Sequence, residues 1–385
     1  METKISIVNV NNHKTVQKSI VEAIKLIEPL PFNLKEAKSI LIKPNLLIAK
    51  EDACTQPSFV EGVINYLFKI GIPSSKIKIG DSPGQFKKNA KEVAEEVGIY
   101  EVCENYGIEF VDFEHTAPSK EDIKGSKKIE EHYVAKAVKE CDVLINLPRL
   151  KTHGEATITG AIKNYWGVIP GGLKAKFHLL GKNPGEFGKV ITDNYSWITQ
   201  NKPNRLIIYD LHRIMEGTMG PVSGSIKNWD LILVGTDELA LDIAALEIGD
   251  FDGKKFVPHI KDALERNLGV SNLEKVEIKG IPLEKAKKDT PKFNVPNKFM
   301  TKLASWITSN IVYKITKKIP VLNKHKCIKC GQCAEICPVE GILFKLNHFP
   351  EFSRKECISC LCCAELCPQQ AISTKSRGFW GLFRS

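Results

Sequence analysis

Eight cysteines late in the sequence have the spacing of metal ligands. Residues 327–338 read CIKCGQCAEICP and residues 357–368 read CISCLCCAELCP, each a C-x2-C-x2-C-x3-C-P block. Four thiolates so close together are too many for one tetrahedral zinc, whose ribbons use two separated C-x2-C pairs. The spacing suits cubane iron–sulfur clusters. Three cysteines on a tight loop reach one cluster, and the fourth, set off by three residues, ligates the other. Two 4Fe–4S clusters are therefore expected, one on Cys327, Cys330, Cys333 and Cys367, the other on Cys357, Cys360, Cys363 and Cys337. Residues 327–343 and 357–373 agree at nine of seventeen positions, so the module is an internal duplication. Cys362 breaks the spacing and is expected to pack rather than ligate. Cys54, Cys103 and Cys141 are scattered, as buried free thiols are.

A second group of chemical side chains follows apolar, β-branched runs. SILI leads into Lys43-Pro44-Asn45, KIKIG into Asp81-Ser82-Pro83-Gly84, DVLINLP into Arg149, Lys151 and His153, and RLIIY into Asp210, His212 and Arg213. Asn11 and Asn12 follow KISIVNV in the same way. Asp, Asn, Pro and Gly are ordinary turn residues, so Asn11 needs no function. Turns do not ask for Lys or His, so Lys43, Lys151 and His153 stand out. Residues 147–182 add Lys163, Lys174, Lys176, His178 and Lys182 among six glycines, with Glu155 as the single acid. Read as a long loop, this stretch suits an anionic substrate, because glycine permits close backbone approach and Lys, Arg and His bind carboxylate or phosphate. Lys43, Arg149, Lys151 and Lys163 are expected to hold that anion, with His153 or Asp81 as proton donor. A desolvated lysine such as Lys151 can also act as base or nucleophile. His153 and His178 could bind a metal, without a spacing rule to support it.

These groups need a scaffold. Strand-like runs alternate with helical patterns through residues 1–250, which implies an α/β domain with an open, mostly parallel sheet, its ligand beyond the carboxyl ends of the strands. Asp237 suits a helix N-cap after LILVG. The chain is expected to divide into the α/β domain at 1–283, a basic linker with an amphipathic helix at 284–322, a small α+β two-cluster ferredoxin domain at 323–374, and a basic aromatic tail at 375–385. The helix at 299–315 and the tail's Phe379, Trp380, Leu382 and Phe383 suit packing onto the core, with peripheral membrane contact as the alternative.

The chain has 385 residues, twelve cysteines and a formal charge of +10. Two clusters at −2 each lower that to about +6. Residues 285–318 hold nine lysines against Asp289. That strip could dock an acidic redox partner protein. METKISIVNV lacks a signal-peptide pattern and no run is long enough for a membrane helix, so a reducing cytoplasm is expected. No G-x-G-x-x-G follows a strand and no phosphate-loop motif occurs, and nothing points to nucleic acid.

The K-P-N segment at Lys43, the D-S-P-G segment at Asp81 and LPRLKTH…TGAIKNYWGVIPG resemble domain-of-unknown-function family 362, some of whose members end in a bacterial-type two-cluster ferredoxin domain. The resemblance covers roughly residues 5–250 and 323–374. It implies importance for Lys43, Asn45, Asp81, Lys151, His153, Lys163 and Asn164, with Asn45 and Asn164 joining the substrate-binding set, and it supplies no substrate. The expected function is a ferredoxin-type iron–sulfur oxidoreductase that passes electrons at a potential on the order of −400 mV to an anionic substrate. The alternatives are a non-enzymatic carrier whose α/β domain docks a partner, and a non-redox enzyme with structural or sensing clusters.

Overall fold

The computed structural model describes residues 3–84, 89–114, 118–171, 173–217, 220–295, 318–335, 337, 339–358, 362–365, 367, 369 and 371–376. The expected helix at 299–315, the tail aromatics, most of the lysine strip and Cys360 lie outside them, as does the side chain of Cys362. Among the described residues the strands, in chain order, begin with β1 (Thr3–Asn9), β2 (Ile40–Lys43), β3 (Ile77–Asp81), β4 (Glu109–Asp112), β5 (Ser119–Glu121), β6 (His132–Val134) and β7 (Val143–Asn146). They continue with β8 (Arg149–His153), β9 (Thr157–Thr159), β10 (Arg205–Glu216), β11 (Ser225–Gly235) and β12 (Val276–Gly280), and end with β13 (Lys318–Leu322), β14 (Ile342–Leu343), β15 (Glu351–Phe352) and β16 (Ile372–Ser376).

Ten of these strands form one sheet in the order β12-β1-β11-β10-β7-β2-β3-β4, with β8 paired to β10 and β9 to β8. The β12–β1, β10–β7, β7–β2, β2–β3 and β3–β4 pairs are parallel. This is an α/β fold with an open, mostly parallel sheet. Successive strand residues face opposite layers. Leu41, Leu144 and Ile207 enter one apolar core, and Ile40, Ile42, Val143, Ile145, Leu206 and Ile208 enter the other. Burial on both faces explains why these strands read as continuous apolar runs. Helices Val16–Leu26 and Pro57–Lys69 cover one face, and helices Pro184–Asn201 and Glu238–Ile248 cover the other.

Three features differ from the sequence reading. β11 runs antiparallel to both β1 and β10, so its end, with Asp237, lies at the opposite rim, where Asp237 caps its helix by accepting from Ala240 N. Residues 147–182 are not a long loop. They form β8, β9 and helices Ala161–Asn164 and Leu173–Leu180. Asp210 does not end a strand, because β10 continues to Glu216 across a bulge between Leu211 and Arg213. Part of the stretch expected as linker is packed on the α/β domain. Phe293 is fully buried against Trp229, and its N–H donates to Gly249 O.

The C-terminal module is small. β13 pairs antiparallel with β16, and β14 with β15, beside helices Gln332–Glu335 and Cys362–Glu365. Among the described residues, no helix is long and apolar enough to cross a membrane.

Candidate functional site

The neighbouring strands β3, β2 and β7 end together and bring Asp81, Lys43 and Asn146 to one rim. Lys43 Nζ lies 2.8 Å from Asp81 Oδ1, and both side chains are buried. The ammonium also donates to Pro44 O at 2.9 Å. Asp81 accepts from Leu46 N and Ser82 N at 2.8 and 2.9 Å. Burial pushes the Lys43 ammonium down from its usual range while Asp81 opposes the change. Gly167 closes over the pair so tightly that a Cβ there would stand 2.1 Å from Asp81 Oδ1 and 2.7 Å from Lys43 Nζ. The sequence reading gave Lys43 to an anionic substrate and Asp81 to proton transfer. In the structure each is first the other's counter-ion.

Arg149 is likewise internally engaged. Its Nε lies 2.9 Å from Asp210 Oδ2, and Nη1 donates to the carbonyls of Asp52 and Cys54 at 3.0 and 2.8 Å. It braces the 45–55 segment from below and is 1% exposed, so it does not present its charge as a substrate cradle.

Lys151 heads a chain of amides. Its Nζ donates to Asn45 Oδ1 at 2.5 Å and Ala53 O at 2.8 Å. Asn45 Nδ2 donates to Asn164 Oδ1 at 3.0 Å, Asn164 Nδ2 to Asn146 Oδ1 at 2.7 Å, and Asn146 Nδ2 to Ala161 O at 3.0 Å. Each link fixes the next amide's orientation, so the row has one direction. Burial, with Arg149 and Lys163 nearby, pushes Lys151 down to about 7, against Cys54 and Asp210. An ammonium so placed gains and loses its proton near neutrality, as acid–base work requires.

The third part of the site centres on Lys163. Helix Ala161–Asn164 carries it, and Asp242 anchors that helix by accepting from Ala161 N at 2.7 Å and Ile162 N at 3.1 Å. Glu238 fixes the next residue, accepting from Tyr165 Oη at 2.7 Å while paired with Arg205. Lys163 Nζ lies 6.0 Å from the ring centroids of Trp166 and Phe187. His153 Nδ1 accepts from Glu155 N and Ala156 N, both at 3.1 Å, which puts the neutral ring's proton on Nε2. His178 stacks on Phe187 at 4.6 Å and has Nδ1 3.6 Å from Glu155 Oε2. His259, on helix Pro258–Glu265, completes the group and is fully buried. Burial and then the Lys163 charge push His178 and His259 down to about 3 and His153 well below its usual value. His153 and His178 share this group, but no three His, Cys, Asp or Glu among the described residues are grouped as a metal site.

Spacing does not single out Asn146, Asp242 or His259. Each is an isolated polar residue in an apolar run or helix, and only the fold brings it to Lys163 or the amide row. Tyr165 and Trp166 are core-packing aromatics. Cys54, Cys103 and Cys141 are buried free thiols. Asn11 Nδ2 donates to Asp230 Oδ2 at 2.9 Å.

In the module, Cys327, Cys330, Cys333 and Cys367 line one cavity. Burial, then Cys330, Cys367 and Cys327, push the Cys333 thiol up to about 11, which marks how closely these sulfurs are gathered. Backbone N–H groups of Lys329, Gly341 and Ala371 donate to the sulfurs of Cys327, Cys337 and Cys367 at 3.4, 3.2 and 3.2 Å. Convergent sulfurs with N–H donors aimed at them fit a thiolate-held iron–sulfur cluster. Gly331 (φ +76°) lets the first loop turn against Phe344, where a Cβ would come within 2.5 Å of the ring.

The module meets the α/β domain on the rim. Cys333, Cys363, Ala364, Ile342 and Ile372 share one apolar cluster with Ile48, Ala53 and Val222. Ala53 therefore belongs to the apolar cluster that takes in the cysteine loops, while its carbonyl accepts from Lys151.

Two family descriptions match the chain. A domain of unknown function, DUF362, matches residues 40–247, and a 4Fe–4S binding domain matches residues 320–343. The thylakoid-associated protein sll1697 of Synechocystis is 30% identical over 223 residues, 57% of this chain and 65% of that protein, so the match spans just under two thirds of its length. Among solved structures, the lactate racemase apoprotein of Thermoanaerobacterium thermosaccharolyticum has a TM-score of 0.43 at 13% identity, covering 64% of this chain and 57% of its own. A Thermotoga maritima protein has a TM-score of 0.39 at 14% identity, covering 58% and 56%.

Proposed function

The chain belongs to the DUF362 family and carries a 4Fe–4S binding domain, and from that premise we propose that this iron–sulfur electron-transfer protein is an oxidoreductase acting on an anionic substrate. Two 4Fe–4S clusters would be held, one by Cys327, Cys330, Cys333 and Cys367, the other by Cys357, Cys360, Cys363 and Cys337. When bound they supply one-electron transfer at low potential. The observation that carries the reading is the shared packing of Cys333 and Cys363 with Ile48 and Ala53, on the segment whose backbone holds Lys151.

The chain's own residues divide the remaining work. Lys151 holds or releases a proton at Nζ, close to neutrality. Asn45, Asn164 and Asn146 keep the Lys151 ammonium in register. His153 offers Nε2–H, and Lys163 supplies positive charge. Lys43–Asp81 and Arg149–Asp210 hold the rim's shape. An acidic electron-carrier protein docks on the exposed stretch around Cys330. There Ile328 is 61% exposed beside the exposed Cys330, with Lys324 and Lys326 exposed and Lys329 half-buried in the same stretch. A reducing cytoplasm is the compartment this chemistry fits.

The test is anaerobic purification, iron and sulfide counting and EPR, then screening the reduced protein against anionic metabolites. About eight irons per chain are expected from two such clusters. A fully reconstituted protein with only four would sink the two-cluster assignment. Lys151→Ala and His153→Ala should abolish substrate-dependent reoxidation with the EPR signal intact. Unchanged reoxidation in both would leave a carrier rather than an enzyme.

A further inference from the structure

We propose that electrons enter through the first cysteine block, where Ile328, Leu343 and Leu346, set among lysines, form the docking face of an acidic electron-carrier protein. The proposal rests on the functional reading above and specifies which of the two blocks meets the carrier and through which side chains.

Three apolar side chains open to water mark the face. Leu346, Leu343 and Ile328 are 78, 70 and 61% exposed, the highest values for large apolar side chains among the described residues. The two segments that carry them lie side by side. Lys324 and Lys329 Nζ stand 5.5 and 4.7 Å from the ring centroid of Phe349. Gly331 closes on Phe344, and Pro350 lines the same cavity as Ile328, Cys327 and Cys330. A lone exposed leucine needs no function, but three such residues beside one set of cysteine ligands mark a contact surface.

The module's duplication supplies an internal comparison. Thirty residues on, the second block carries Glu356 for Lys326, Ser359 for Lys329, Ser373 for Leu343 and Ser376 for Leu346. Leu343 and Ser373 are each the second residue of their strands, β14 and β16, and both are exposed. Ile358, the counterpart of Ile328, is half-buried. The repeated half is thus built with serine where the first half exposes leucine, so packing does not require the leucine.

Charge defines the occupant. Residues 323–334 and 341–350 carry Lys324, Lys326, Lys329 and Lys345 and no acid. Glu335 and Glu340 lie between the two segments in sequence, and Glu351 follows them. The rings of Phe349 and its two lysines form cation–π contacts, so less side-chain freedom is lost when a carboxylate surface arrives. Such a face steers an acidic protein toward it. Cys330 is exposed within the face, which suits a partner that brings electrons, as a lipid surface does not. In each encounter the carrier loses one electron and the first cluster gains it, with no bond made or broken between the proteins.

The experiment titrates the oxidised, cluster-loaded full chain with an oxidised flavodoxin, a small acidic flavin carrier, so that calorimetry reads binding without electron transfer. Stopped flow with the reduced flavodoxin then reads the rate of cluster reduction. Wild type should bind and be reduced, with an affinity that falls as salt rises. Leu343→Ser/Leu346→Ser and Lys326→Glu/Lys329→Ser install the residues of the second block. Each should weaken binding by about tenfold and slow reduction by flavodoxin to match, the loss of one or two central contacts. Iron content and the extent of bleaching by dithionite should match wild type in both. Absence of binding by wild type, binding indifferent to salt, or a change of less than about twofold in either variant would overturn the proposal. So would wild type that binds phosphatidylglycerol vesicles through these residues and takes no electrons from flavodoxin, which would make the face a membrane contact. Should the lysine variant load iron poorly, Leu343→Ser/Leu346→Ser, outside the cysteine block, decides alone. Failure of dithionite to bleach the wild-type clusters would instead count against the electron-transfer reading, so the two failures are read on different signals.

Discussion

Lys43 and Asp81 form a contact whose two halves are worth little apart. A buried charge that loses its partner costs about 3–5 kcal/mol, whereas removing both charges is close to neutral. Lys43→Met and Asp81→Asn should each lower the urea stability of the anaerobic protein by about that amount, and the Lys43→Met/Asp81→Asn double variant should recover most of it. Equal losses in the double variant and the sum of the singles would mean that the pair is not coupled. Histidine provides the pH dependence. His132 is 1% exposed, stacks on Phe177 with Trp197 tilted against it, and has no hydrogen-bond partner for either ring nitrogen among the described residues. Burial pushes it down to about 4, against Asp193 and Glu121. Its folded pKa lies below the unfolded value of about 6.5, so its contribution is whole above that pH and is lost as the pH falls toward 4, at up to about 1.4 kcal/mol per unit. His178 and His259 add slopes of the same sign. Urea midpoints should therefore fall between pH 7 and 4.5. His132→Phe, which keeps the stacking and removes the two unmet nitrogens, should be more stable at pH 5 and show a shallower fall. A steeper fall in that variant would contradict the assignment.

At the scale of elements, helix Ala161–Asn164 is too short to persist unaided. Two backbone N–H donors to Asp242 hold it, and burial raises that carboxyl to about 6. Asp242→Ala should cost about 1–3 kcal/mol, the loss of a buried charged acceptor from two donors. An unchanged urea midpoint in that variant would detach Asp242 from the helix. The same helix shows how far sequence reaches. The strands were legible because β-branched runs buried on both faces have one signature. So was the mostly parallel order, but not the reversed direction of β11, since its Leu231–Val234 reads like Leu206–Tyr209 of β10 although the two run opposite ways. Residues 147–182 read as a loop because glycines and lysines there outweigh the short apolar pieces, while β8 is stabilised by pairing with β10 sixty residues later. Lys43 and Arg149 were legible as unusual, but their purpose lay with Asp81 and Asp210, and distant partners leave no local trace. The cysteine blocks were legible because their ligand spacing is local.

For the whole molecule, the junction between the two parts is a small apolar contact built around Ala53, which is fully buried. Ala53→Leu would crowd it, at a cost of about 1–3 kcal/mol if the surroundings cannot give. The module is the lighter partner, so it should shift. Iron content and dithionite reduction should stay as in wild type while substrate-dependent reoxidation slows. Slowed dithionite reduction instead would place the damage in the module itself.

Among the described residues, the module's buried apolar side chains Cys333, Ile342, Cys363, Ala364 and Ile372 share one cluster with the wall made by Ile48, Ala53 and Val222. A chain synthesised from its N-terminus completes that wall long before Cys327 emerges, and domains fold in the order they are made. The α/β domain thus serves as a template on which the cysteine loops are gathered for cluster loading. Substitutions on the wall should then lower the yield of loaded protein in the cell more than they lower the stability of protein already loaded.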